Sequence, residues 1–257
     1  KPNILVTNDD GIDSPGIYAL VKALKRIGNV FVVAPDRQQS AVGHALSVSQ
    51  PLRVTKFHRN GEMFGYAVTG TPSDCVKIAI SSLIKEKLDL VVSGINHGSN
   101  TSINVLYSGT VSAATEGMLG GIQSMAVSMA DYTWEGDCTP SAEYAVAIAQ
   151  KLLENPLPAG TILNVNVPAL PLEQIKGIRS TQLSNSVWND SYEKRTDPFG
   201  RDYYWFAGEY KVFDKSENSD DGAVLAGYVA LTPMKFEFTD AKSMSITAEF
   251  ENIGRIE

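Results

Sequence analysis

The chain has 257 residues, of which 43% are apolar and 20% charged, and its formal net charge is -7. That composition excludes a disordered chain, and its acidic balance argues against long nucleic acid as a partner, because a phosphate polymer is repelled unless charge is locally reversed. At roughly 150 residues per domain, the length allows one large domain or two small ones.

The first half alternates short apolar runs with helical patterns. Ile4 to Thr7 is an apolar run that ends in the turn signal Asn8-Asp9-Asp10-Gly11. Ser14-Pro15 reads as an N-cap followed by proline at the first helical position. Ile17, Leu20, Val21 and Leu24 then form the stripe of an amphipathic helix, which Gly28 stops. Val30 to Ala34 is the next run and ends in Pro35-Asp36-Arg37. Thr71-Pro72-Ser73-Asp74 repeats the N-cap and proline pattern and opens a helix through Val76, Ile80 and Leu83. Leu88 to Val92 is a third run, leading into Ser93-Gly94-Ile95-Asn96. A helix starts near Thr110, Ser124 to Met129 is a fourth strand, Pro140 to Leu153 a helix, and Thr161 to Val167 a fifth strand.

Continuous apolar strands separated by helices predict a Rossmann-like, doubly wound α/β fold with a mostly parallel sheet. After about Pro168 the rhythm changes. Residues 180 to 222 are rich in Asn, Ser, Asp and aromatics, which predicts a hairpin or extended arm whose aromatics need a partner surface. Phe236 and Phe238 alternate with charged residues, so a further strand is expected there. No apolar run approaches the roughly 20 residues needed to span a bilayer, and the opening Lys1 to Val6 lacks a secretory-signal pattern, so a cytoplasmic protein is expected. Cys75 and Cys138 lie beside helical sequence and read as small buried apolar residues.

In an open α/β sheet, ligands bind beyond the carboxyl ends of the strands. The first strand delivers Asn8, Asp9 and Asp10 there, the second Asp36, Arg37 and Ser40, and the third Asn96 and His97. Two carboxylates, a hydroxyl and a side-chain amide form a hard oxygen set that suits Mg²⁺, Mn²⁺ or Ca²⁺ better than zinc. Small residues in Tyr107-Ser108-Gly109-Thr110 lead straight into a helix, where exposed backbone N–H groups can bind phosphate or simply take an ordinary Ser/Thr cap. Glu116, in the second turn, is either a surface residue or a support for the site, and His44 and His97 could each face the cleft. The P-loop, the dinucleotide fingerprint and the nucleophile elbow are all absent.

At ILVTNDDGIDSPGI, VVAPDRQQSA, TGTPSDCV, DLVVSGINHGSN, YSGTVSAATEG and ILNVNVP the chain resembles the survival protein E (SurE) family of 5'/3'-nucleotidases. GYVALTP extends the resemblance toward the end. The resemblance implies one domain over residues 1–257, with a core of about 1–170 and a C-terminal arm and closing strand over about 171–257. It implies a phosphatase for nucleoside 5'- and 3'-monophosphates, extending to short polyphosphate, with one Mg²⁺ or Mn²⁺ per subunit. The metal ligands would be Asp9, Asp10, Ser40 and Asn96, with Asp9 and Asp10 also catalytic. Asn8, Asn96, Ser108, Gly109 and Thr110 would contact substrate phosphate. A homodimer or homotetramer with exchanged C-terminal arms would account for the aromatic-rich region. The chain departs from the family pattern at Ser40-Ala41, where Ser-Gly is usual, and at Thr101 to Asn104, where glycine or acidic residues are usual. A non-catalytic nucleotide-binding or sensing module on the same fold is the alternative reading.

Overall fold

A computed structural model describes residues 1–253. In chain order its elements are β1 (Asn3–Thr7), α1 (Pro15–Leu24), β2 (Asn29–Pro35), β3 (Val54–Arg59), β4 (Glu62–Val68), α2 (Pro72–Ile78), β5 (Leu90–His97), α3 (Gly109–Leu119), β6 (Gln123–Met129) and α4 (Thr139–Glu154). They continue as β7 (Thr161–Val167), β8 (Ile178–Ser180), β9 (Val187–Thr196), β10 (Asp202–Lys211), α5 (Asp220–Leu225), β11 (Val229–Lys235) and α6 (Met244–Ala248). Nine strands form one sheet in the order β3-β4-β2-β1-β5-β6-β7-β11-β8. The run from β4 to β7 is parallel throughout, while β3 and β11 enter antiparallel to their inner neighbours. The fold is thus α/β with a mostly parallel sheet.

The central strands are apolar on both faces because helices cover both. Ile4 and Val6 pack with Ile17, Leu20 and Leu24 of α1 and with Ala145 and Ala149 of α4. Leu5 points the other way, toward Val33, Cys75, Val76 and Val91. Both cysteines are free and buried. The predicted caps form. Ser14 Oγ accepts the Ile17 N–H at 3.3 Å, while Thr71 Oγ1 and the Asp74 carboxyl close a reciprocal capping box at the start of α2.

Two expectations need adjustment. The late strand ends at Lys235, so Phe236 and Phe238 lie beyond it. Ala230 to Lys235 pair with β7, whereas Phe238 is exposed and packs edge-on against Phe236. The β3–β4 hairpin went unpredicted although Asn60-Gly61, both at positive φ, is a strong hairpin signal. Between β8 and α5, β9 and β10 form a separate antiparallel hairpin.

The sheet places its topological switch between β1 and β5, with β2 on one side of β1 and β5 to β7 on the other. A crevice opens at the carboxyl ends there. Helix α3 seals one side of it, and every residue from Gly109 to Gly117 is buried. A side chain at Gly109 would bring Cβ to 2.8 Å from Asp9 Cβ and 3.0 Å from Pro72 Cγ. Only glycine lets the helix start this close to the β1 loop. Gly109→Ala should therefore lower stability by about 1–3 kcal/mol through overpacking, although alanine is the better helix former. Urea unfolding measures this, and an unchanged or raised midpoint would contradict the close packing.

Candidate active site

The turn after β1 is shaped by Asn8, which is fully buried and donates through Nδ2 to Gly11 O (2.9 Å) and Ser14 Oγ (2.8 Å). This pins the turn to the start of α1 and sets Asp9 and Asp10 side by side, with only 4% and 6% exposure. Their surroundings differ. Asp9 Oδ1 accepts from Thr110 Oγ1 at 2.5 Å. Asp10 Oδ2 accepts from the His97 backbone N–H (3.2 Å) and from His97 Nδ1 (2.8 Å).

The electrostatics follow from these partners. Asp10 holds the His97 imidazole well above its ordinary value, at about 9, with a smaller contribution from Cys138. Burial pushes the Asp9 carboxyl up from 3.8 to about 6, opposed by the Thr110 hydrogen bond and reinforced by the Asp10 charge. Among the described residues no lysine or arginine pairs with either aspartate, and Asp10 has only His97. Asp9 is thus a buried acid without a cationic neighbour of its own.

Asn96 is the next-to-last residue of β5, beyond a register shift between Gly94 and Asn96, an irregularity that re-aims side chains at a strand end. Its Nδ2 donates to Gly98 O at 2.7 Å, leaving Oδ1 as the outward oxygen. Ser40 lies on the exposed segment after β2, which returns to the aspartates where the Gln39 N–H donates to Asp9 O (2.7 Å). Ser108 caps α3, with its Oγ accepting the Val111 N–H at 3.1 Å.

A cavity of about 630 Å³ gathers Asp9, Ser40, Asn96 and Ser108 along its wall, together with His97. Asp10 lies directly behind His97, while Asn8, Gly109 and Thr110 lie against Asp9. The residues that the resemblance implies as ion ligands and phosphate contacts therefore line one cavity or lie next to its lining, whereas Asp36, Arg37, His44 and Glu116 are not on its wall. Among the described residues no three His, Cys, Asp or Glu side chains share an ion site. A donor set here consists of two carboxylates supplemented by neutral oxygens from Ser40 and Asn96, which fits a hard divalent ion. The buried Asn8 Oδ1 lacks a hydrogen-bond partner, consistent with an incompletely satisfied polar pocket.

Sequence reasoning missed much of the far wall. Tyr107, Tyr132, Trp188 and Phe206 face the cavity, the last two from the β9–β10 hairpin. His97 stacks on Trp134 with ring centroids 5.1 Å apart. A buried amide network also went unread. Asn100 N–H donates to Asn166 Oδ1 (2.8 Å), Asn100 Nδ2 to Ser128 Oγ (2.8 Å), and Asn164 Nδ2 to Asn100 O (2.7 Å). The signal was present, because two asparagines alternate inside the otherwise apolar β7 run.

The family model described as survival protein SurE matches residues 4–190. A protein of Flavobacterium johnsoniae named 5'-nucleotidase SurE is 45% identical over 245 residues, covering 95% of each chain. One of the same name from Chlorobium phaeobacteroides is 46% identical over 244 residues, covering 95% of this chain and 94% of its own. The crystal structure of the SurE protein from Aquifex aeolicus superposes with a TM-score of 0.85 at 41% identity, covering 97% of this chain and all of that one. By sequence and by fold, this chain belongs to the SurE family.

Proposed function

We propose that the chain is a divalent-metal-dependent phosphatase that hydrolyses nucleoside 5'- and 3'-monophosphates, and short polyphosphate as a further substrate. The observation that carries the reading is a buried aspartate pair with no lysine or arginine partner among the described residues, of which Asp9 lines a cavity of about 630 Å³ that also presents neutral oxygens and aromatic rings. That volume lies in the range of small-molecule sites, about 300–1,000 Å³. The names of the relatives, 5'-nucleotidase SurE, point the same way.

Asp9, Asp10, Ser40 and Asn96 would hold one Mg²⁺ or Mn²⁺ per subunit. Such an ion supplies Lewis acidity toward phosphoryl oxygens and lowers the pKa of water. The rest falls to the chain's own groups. Asp10 is gripped twice by His97, which fixes its orientation. Asp9 lines the cavity, so its carboxylate is the group to accept a proton from the attacking water. Thr110 gives its hydroxyl to Asp9, so its part is to hold that carboxylate, and Ser108 and Gly109 present the first turn of α3 to phosphate. Water adds to phosphorus as its proton passes to Asp9, the ester bond to the nucleoside oxygen breaks, and that oxygen leaves as the hydroxyl by taking up a proton from solvent, to which Asp9 returns its own.

Asp9→Asn and Asp10→Asn should each cut turnover on nucleoside monophosphates about 100-fold or more, as loss of an ion ligand does. In EDTA the Asp9→Asn protein should be at least as stable as the parent, because the exchange removes a buried charge. Steady-state assays with and without chelator, alongside melts, test both statements. Full activity of the parent in excess EDTA would end the metal reading, and nucleotide binding without turnover under every divalent ion would favour the sensing module.

The partner we propose is a second copy of the chain, as a homodimer or homotetramer with exchanged arms. Every residue of β9 is exposed, and β10 exposes Tyr203, Tyr204, Trp205 and Phe206. A two-stranded hairpin is marginal alone, and aromatics of this kind favour interfaces. Tyr204→Ser with Trp205→Ser should shift the protein toward monomer in sedimentation at micromolar concentration. A parent already monomeric there would contradict the assembly.

A further inference from the structure

Residues 36–53, between β2 and β3, contain Ser40 but no helix or strand. Apolar burial anchors this strap only near its end, where Leu52 packs against the core; around Ser40 and His44 it does little, since Leu46 is 41% and Val48 91% exposed. Ala41, next to Ser40, has φ 57, a left-handed conformation that a residue with a Cβ keeps only when its surroundings hold it there. Around Ser40 and His44 the strap is therefore fixed by polar contacts. Gln39 N–H donates to Asp9 O (2.7 Å), Gly43 N–H to Tyr107 O (3.0 Å), and Thr71 Oγ1 to Ala45 O (2.7 Å).

One side chain gathers the strap onto the helices. Glu116 of α3 is 5% exposed, in a helix otherwise made largely of small residues. Its Oε2 accepts from His44 Nε2 (2.8 Å) and its Oε1 from Lys77 Nζ of α2 (2.5 Å). A buried carboxyl group is tolerated when both oxygens are partnered, and here one partner comes from the strap and the other from a neighbouring helix. The first turn of the same helix touches Asp9 through Gly109 and Thr110. Glu116 and Asp9 are thus tied to one rigid element, and His44 stands four residues beyond Ser40.

We propose that Glu116 is the positioning residue of this site, joining His44 to Lys77 so that the Ser40-Ala41 turn is held over the aspartate pair. The consequence for ion binding rests on the reading of Ser40 as an ion ligand. The clamp itself does not.

Two measurements on metal-free protein separate these. In His44→Ala and in Glu116→Ala, amide exchange at Gln39 and Gly43 should quicken about tenfold, the equivalent of losing one hydrogen bond to a charged group. Amides of β1 and β5 should keep parent rates. His44→Gln, whose side-chain amide reaches about as far as the imidazole Nε2, should restore most of the protection. Mn²⁺ titrated calorimetrically should bind about tenfold more weakly to His44→Ala than to the parent, and near parent level to His44→Gln. Unchanged exchange at Gln39 and Gly43 in both alanine variants would overturn the clamp. Exchange quickened uniformly through the sheet would do the same, since it marks a merely structural role. A parent that binds no Mn²⁺ would overturn the ion-ligand reading of Ser40, and the exchange rates would still decide the clamp.

Discussion

Two adjacent carboxyl groups are buried where the first strand ends, and much of the crevice is built around tolerating them. Taking a carboxylate out of water is costly unless hydrogen bonds or an opposite charge replace its hydration. The chain supplies that replacement unequally. Asp10 receives two donors from His97, one of them an imidazole that Asp10 itself keeps protonated to about pH 9. Asp9 receives a neutral hydroxyl from Thr110 and the start of α3. Burial, with the Asp10 charge beside it and only the Thr110 hydrogen bond opposing, pushes the Asp9 carboxyl up to about 6.

Helix α3 carries much of this arrangement, which explains its composition. Gly, Thr, Ser and Ala dominate from Gly109 to Gly117 because the helix lies against both the sheet and the β1 loop. A helix of small residues contributes little apolar area, so its place depends on being enclosed by neighbours. Within that enclosure the one long polar side chain is Glu116, and its oxygens reach outward to groups that need anchoring. Contact with Asp9 at one end and with the strap at the other makes the helix a shared reference for loops far apart in sequence.

The sequence made the scaffold legible because its signals are local. Continuous apolar strands follow from two-sided helix cover, and Ser14-Pro15 and Thr71-Pro72 mark helix starts that cap as expected. Strand ends could be lined up by the general rule for open sheets, which gathered Asp9, Asp10, Ser40 and Asn96 along with Asn8, Asp36, Arg37 and His97, and the resemblance picked the four out of that set. What stayed hidden depends on separation along the chain. Glu116 meets partners 72 and 39 positions away, so nothing near it distinguishes a surface acid from an anchor. The β3 strand, VTKFHR, lies on a sheet edge with Thr55, Lys56 and His58 exposed and reads as polar loop. Phe236 and Phe238 show the reverse error, because alternation without a paired neighbour does not make a strand.

The hairpin links the cavity to the unpartnered surface of the chain. Val187, Trp188, Asp190 and Phe206 line the cavity together with Asp9, yet all four belong to a two-stranded ribbon that joins no other sheet. Such a ribbon cannot fix its own position. Its root is held by polar contacts. Trp188 Nε1 donates to Asn104 Oδ1 (2.7 Å), Tyr210 donates to Asp221 (3.0 Å), and Ser102 Oγ donates to Ser186 O (2.8 Å) just before β9. Asn104 and Ser102 belong to the segment that runs into the cap of α3, so the root of the arm and the rim of the cavity share the same backbone. The near wall of the cavity is set by the sheet, and the far wall is only as firm as these contacts and whatever covers the outer aromatics. Thr101 to Asn104 therefore touch both arm and cavity, so the shape of the pocket depends on this segment as well as on the aspartates.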